Sequence, residues 1–66
     1  MPAISKLPQA VILRNGETAV VTQGTDIPPY VLQGYRGNAQ VMELWTRNGM
    51  YHENAQTSDL DIVRLV

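Results

Sequence analysis

The sequence predicts an all-β domain, and three observations carry that prediction. Nowhere in the 66 residues does an apolar pattern of helical period persist; an amphipathic helix would show one over a window of roughly 11–18 residues. Short runs rich in Val, Ile, Thr and Tyr alternate instead with clusters of Gly, Pro, Asn and Asp, the composition of strands and turns. Arg-Asn-Gly occurs at Arg14–Gly16 and again at Arg47–Gly49, each time between strand-forming runs. Asn-Gly in that setting signals a hairpin, because both central residues of a type I′ turn need φ > 0.

Residues 1–9 carry Pro2 and Pro8 and no clear period, and read either as an extended N-terminal arm that Ile4 and Leu7 lay over the domain formed by residues 10–66 or as a disordered terminus. Ala10–Arg14 is a β-branched run and the first expected strand, joined through Asn15-Gly16 to the second, Thr18–Gln23. Gly24-Thr25-Asp26 and then Pro28-Pro29 are expected to break the sheet and cross to another part of it, because a diproline cannot donate to a ladder. Tyr30–Tyr35 reads as a third strand, closed by a turn at Arg36-Gly37-Asn38.

Ala39–Thr46 is the fourth and longest strand, with Val41, Glu43 and Trp45 on one face and Met42 and Leu44 on the other. Asn48-Gly49 then leads into a fifth strand, Met50–His52. Glu53–Asp61 is polar, with a single helical turn expected at Ser58-Asp59-Leu60, and Ile62–Val66 is the last strand. Five or six short antiparallel strands in a chain of this length suggest a small SH3-like β-barrel. The first five would form a meander and the last would pair back with the first, removing exposed edges.

A domain of this size buries only about 60% of the surface its unfolded chain exposes. No cysteine is available to staple it. Stability therefore has to come from efficient sheet closure or from a homo-oligomer. The hydrophobic share is 44%, close to the roughly 45–50% of ordinary folded domains. Five basic and six acidic residues leave a net charge of −1, and Lys6, Arg14, Arg36, Arg47 and Arg64 are scattered singly. Phosphate neutralisation dominates nucleic-acid affinity, so nucleic acid is a disfavoured partner. The longest early apolar run, Ala10–Leu13, falls short of a secretory core of roughly 7–15 residues and of a ~20-residue membrane span. A soluble, cytoplasmic protein is the expectation, with no membrane partner.

Catalytic signals are sparse. His52 is the only histidine and the only side chain with an ordinary pKa near neutrality. Ser58 and Asp59 follow it closely in sequence, but spacing alone builds no nucleophile–base pair. Glu53, Asp59 and Asp61 offer oxygen ligands without calcium-loop spacing. Gly34, Gly37 and Gly49 precede no helix and make no phosphate loop; turns, bulges or close strand packing account for them. The chain is therefore expected to be no enzyme and to need no cofactor or metal. One constellation suggests binding: Tyr35, Arg36, Trp45, Arg47 and Tyr51, residue types enriched at interaction hot spots. Whether Trp45 points into the core or outward decides how much of that face exists.

The half of the chain from Tyr30 to Val66 resembles small β-barrel accessory proteins of tailed phages and prophages, a group without an assigned activity. The resemblance rests on Trp45-Thr46, Asn48-Gly49, Tyr51, Ser58 and Asp61-Ile62-Val63. Asn48 stands where that group more often has Asp, and the Glu53–Thr57 loop lacks an expected glycine. The resemblance implies an accessory gene product acting inside a bacterial cell. Two functions follow as expectations. One is a protein-interaction module that engages a host or phage protein, alone or as a homo-oligomer. The other is a binder of a small ligand or nucleotide at a subunit interface, with Arg36 or Arg47 on phosphate and a tyrosine stacked on the base.

Overall fold

The computed structural model describes residues 4–38, 40–54 and 56–66. Among them lie five strands: β1 (Gln9–Leu13), β2 (Thr18–Ile27), β3 (Tyr30–Arg36), β4 (Val41–Thr46) and β5 (Ile62–Leu65). They form one antiparallel sheet of order β4-β3-β2-β1-β5. The meander of the first four strands and the return of the last strand to β1 follow the sequence expectation. No described helix is long and apolar enough to cross a membrane.

Closure into a barrel does not follow. β4 and β5 are the two edges of the sheet, and no ladder joins them. The chain between them bridges the gap point by point. The Ile62 N–H donates to the Gly49 carbonyl at 2.9 Å, and the Trp45 indole N–H donates to the Leu60 carbonyl at 2.7 Å.

Met50–His52, expected as a strand, is irregular, with a bend at Tyr51 and His52. The physical reason lies in its partners. Met50 turns back on Thr46, whose N–H donates to the Met50 carbonyl at 2.9 Å, and the Tyr51 N–H donates to the Asp61 carboxylate at 2.8 Å. A backbone group held by a side chain makes no ladder bond. In the other direction, β2 runs on through Gly24-Thr25-Asp26 to Ile27, which pairs with Tyr30. Pro28-Pro29 therefore sits at the tip of a tight β2–β3 hairpin instead of crossing the sheet. Register shifts at Val21/Gln23 and Gly24/Ile27 absorb the irregular residues as bulges.

Both Arg-Asn-Gly triplets make the same turn, and it is not type I′. Positive φ falls on Gly16 (91°) and Gly49 (79°), not on either asparagine. The Gly16 N–H donates to Leu13 O, and the Gly49 N–H donates to Thr46 O, each at 2.9 Å. This is the three-residue hairpin in which a turn is followed by a glycine in the left-handed region. The expected helical turn at Ser58-Asp59-Leu60 is a single turn, closed by the Asp61 N–H donating to Ser58 O at 3.1 Å.

The core comprises Val11, Leu13, Ala19, Val21, Trp45 and Ile62, with Ile4, Leu32, Tyr51, Leu60 and Leu65 packed around it. Ile4 thus lays the described part of the arm on the domain; residues 1–3 lie outside the described residues. So does Ala39, where the fourth strand was expected to begin. Gly34 marks the closest approach of β2 and β3: a Cβ there would overlap the Val20 carbonyl.

Candidate functional site

The five residues singled out from sequence separate onto different surfaces. Trp45 is fully buried, as alternation along β4 requires once its neighbour Met42, on the opposite face, is exposed. It offers no contact area to a partner. Arg47 is exposed in the β4-to-Met50 turn. Tyr35 is 41% exposed on the outer face, away from Trp45.

Arg36 and Tyr51 do come together, and the link between them is Glu43. The Arg36 Nε donates to one Glu43 carboxylate oxygen at 2.6 Å, and the Tyr51 hydroxyl donates to the other at 3.2 Å. Arg36 also meets Glu17 at 3.4 Å. The Glu43 hydrogen bond raises the Arg36 pKa further above its ordinary value. Burial first, and then the Glu43 charge, pushes the Tyr51 phenol up, so it remains a donor. The Tyr30 hydroxyl donates to the Tyr51 carbonyl at 3.1 Å and fixes that backbone.

Asp61 holds the other side of the Tyr51 segment. It is fully buried and accepts from the N–H groups of Tyr51 (2.8 Å) and Ser58 (2.9 Å) and from Arg14 (3.3 Å). Burial alone would raise its pKa; the hydrogen bonds from Ser58, Tyr51 and Arg14 outweigh burial and hold the carboxyl below its ordinary value. Every buried side-chain polar atom among the described residues is paired. These groups build structure: none is an unpartnered acid, base or nucleophile. His52 is exposed and meets Tyr51 edge-on, with ring centroids 5.3 Å apart. No group of three His, Cys, Asp or Glu side chains among the described residues is placed to share a metal ion.

What the Tyr51 segment does create is a cleft of about 290 Å³ along the free edge of β4, lined by Tyr30, Met42, Glu43, Leu44, Tyr51 and His52. The backbone phase of this edge is fixed. In an antiparallel strand the N–H and C=O of one residue point to the same side, and sides alternate along the chain. Both groups of Thr46 bond away from β3, to Met50 and Gly49. Met42 and Leu44 share its phase, so their N–H and C=O also face outward, and no described backbone group pairs with them. Sequence reasoning missed Met42, Leu44 and Glu43 as site residues. The signal was present in the β4 alternation, but it acquires meaning only when β4 is known to be an edge.

A larger open groove, of about 780 Å³, lies on the outer face and is lined by Thr18, Val20, Thr22, Tyr35, Asn38 and Gln40 among others. Val20 and Tyr35 are direct cross-strand partners. Gln40 is held at φ 54°, the one positive value on a described residue other than glycine.

Comparison of the chain with protein-family models, with curated proteins and with solved structures returns no match.

Proposed function

We propose that the chain is a non-enzymatic protein-interaction module that takes an extended segment of a partner onto the free edge of β4. The observation that carries this reading is the pair of outward-facing backbone positions, Met42 and Leu44, beside a cleft containing Tyr30 and Tyr51. Main-chain hydrogen bonds to an edge strand supply affinity, and flanking pockets read alternate side chains. Sheet edges in folded proteins are usually blunted by proline, lysine or an inward-pointing charge. β4 has no proline or lysine; its one charge, Glu43, points inward, but Arg36 neutralises it there. The opposite edge, β5, is only four residues long and presents an exposed Arg64.

The resemblance to accessory proteins of tailed phages and prophages supports a host or phage protein inside a bacterial cell as that partner. A second copy of this chain, paired edge to edge, is the homo-oligomeric form of the same reading. The nucleotide reading has less support, because Arg36 is already engaged by Glu43 and Glu17.

Met42→Pro tests the proposal. It removes the outward N–H and leaves the β3–β4 ladder its donors. Wild type and Arg47→Ala are expected to retain the partner that co-purifies from bacterial lysate, and Met42→Pro to lose it while the fold persists. Equal retention by folded Met42→Pro overturns the proposal. Size-exclusion chromatography of wild type and Met42→Pro shows whether the partner is a second copy.

A further inference from the structure

The two Arg-Asn-Gly turns have the same form, yet their asparagines are held differently. In the first turn both ends of the Asn15 amide are engaged. Its Nδ2 donates to the Glu17 carboxylate at 2.9 Å, and its Oδ1 accepts from the Glu17 N–H at 2.8 Å. Glu17 is itself tied to Arg36 at 3.4 Å. In the second turn Met50 stands where Glu17 stands in the first. Its thioether is only a weak acceptor, and its N–H already donates to the Thr46 hydroxyl at 3.2 Å. Leu13, the counterpart of Thr46, has no hydroxyl. Asn48 is exposed, and among the described residues no hydrogen bond holds its amide.

An asparagine ahead of a glycine is chemically labile, because no side chain shields the glycine nitrogen. That nitrogen gives up its proton and attacks the side-chain carbonyl carbon, Cγ. The N–Cγ bond forms, the Cγ–Nδ2 bond breaks, and the amide nitrogen takes up a proton and leaves as ammonia. A five-membered succinimide remains, and water opens it at either carbonyl. Attack at Cγ gives aspartate. Attack at the main-chain carbonyl gives isoaspartate, whose chain runs through the β-carbon.

The ring closes only when the side chain turns onto the nitrogen of the next residue. Asn15 must first give up its bonds to Glu17; Asn48 has no such bonds to break. The glycine nitrogens are bonded alike, to Leu13 O and Thr46 O, each at 2.9 Å. Gly49 is buried and Gly16 exposed, which slows proton loss from Gly49. Proton loss is fast beside ring closure and does not set the rate.

We infer that Asn48 is a site of spontaneous covalent modification in the folded chain, converting through a succinimide to aspartate and isoaspartate, while Glu17 protects Asn15. The change falls in the turn that ties β4 to β5, where the Gly49 carbonyl accepts from the Ile62 N–H at 2.9 Å. Isoaspartate adds one carbon to the main chain at that point and loosens the tie.

The test is incubation of the whole chain at mildly alkaline pH, followed by proteolysis and mass spectrometry. The mass gain at each asparagine is read against time, and isoaspartyl peptides are separated by chromatography. Conversion at Asn48 is expected to outpace that at Asn15 by about ten-fold or more, the worth of two ordinary hydrogen bonds. In guanidinium chloride, which removes both turns, the two rates are expected to converge. Glu17→Ala is expected to speed Asn15 in the folded chain and to leave Asn48 unchanged. Equal rates in the folded chain, faster conversion of Asn15, or a preference for Asn48 that persists in guanidinium chloride overturns the assignment. So does an Asn48 that stays intact in the folded chain while the denatured chain converts, or an Asn15 rate untouched by Glu17→Ala.

Discussion

The indole N–H of Trp45 donates to the carbonyl of Leu60 at 2.7 Å. One side chain of β4 thereby ties the open edge of the sheet to the segment that leads into β5. Trp45→Phe keeps most of the buried ring and removes this donor, leaving the Leu60 carbonyl without its partner. The expected cost in denaturant unfolding is at least the roughly 1–3 kcal/mol of an unpaired carbonyl, with a further loss for the space the smaller ring leaves in the core. Wild-type tryptophan fluorescence should be blue-shifted and resistant to acrylamide.

Gly34 and Gly24 are both in strands, yet they should respond oppositely to alanine. A Cβ at Gly34 would overlap the Val20 carbonyl and crowd the Val21 Cα, whereas one at Gly24 meets only the Val31 carbonyl at 3.6 Å. Gly34→Ala is expected to lose more than about 4 kcal/mol or not to fold. Gly24→Ala is expected to be neutral or to gain about 0.4–1 kcal/mol by restricting the unfolded chain. Thermal unfolding of the pair checks this.

Asp61 makes stability depend on acid. Its folded pKa lies below the ordinary carboxylate value. Its contribution is therefore fully present above the unfolded pKa of about 3.9 and is lost as pH falls through the folded value. Asp61→Asn puts an amide among three donors, and one of them loses its acceptor, at a cost of about 1–3 kcal/mol at neutral pH. The variant should also lose less stability than wild type on acidification. Urea titrations at neutral and acidic pH measure both effects.

Tyr51→Phe removes one of two donors to Glu43 and leaves the Arg36 bond in place. A loss of about 0.5–1.5 kcal/mol is expected. The altered cleft floor should weaken partner retention less than Met42→Pro does, as parallel capture experiments will show.

Much of this architecture is legible in the chain. Alternation along Val41–Thr46 puts Glu43 and Trp45 on one face and Met42 on the other, as found. The first hairpin also follows from residue pattern, whereas the pairing of β5 with β1 is expected from a barrel closure and is found in a sheet that stays open. What is not legible depends on partners distant in sequence. Gly24-Thr25-Asp26 looks like a turn, yet β3 supplies a ladder that carries these residues as strand. Met50–His52 looks like a strand, yet the Asp61 carboxylate takes the Tyr51 N–H. The same holds for the site. Tyr35, Arg36, Trp45, Arg47 and Tyr51 share a composition but not a surface, because side-chain direction is set by register. Arg36 and Tyr51 meet only through Glu43, a residue that attracts no notice until β3 and β4 are paired.

The central claim is that β4 accepts a strand at Met42 and Leu44. Amide hydrogen exchange at these two positions, with and without the co-purified partner, tests it most directly. Fast exchange in the free chain and strong protection in the complex are the predicted result. Exchange at Met42 and Leu44 that stays fast in the complex, while other amides gain protection, would contradict the account.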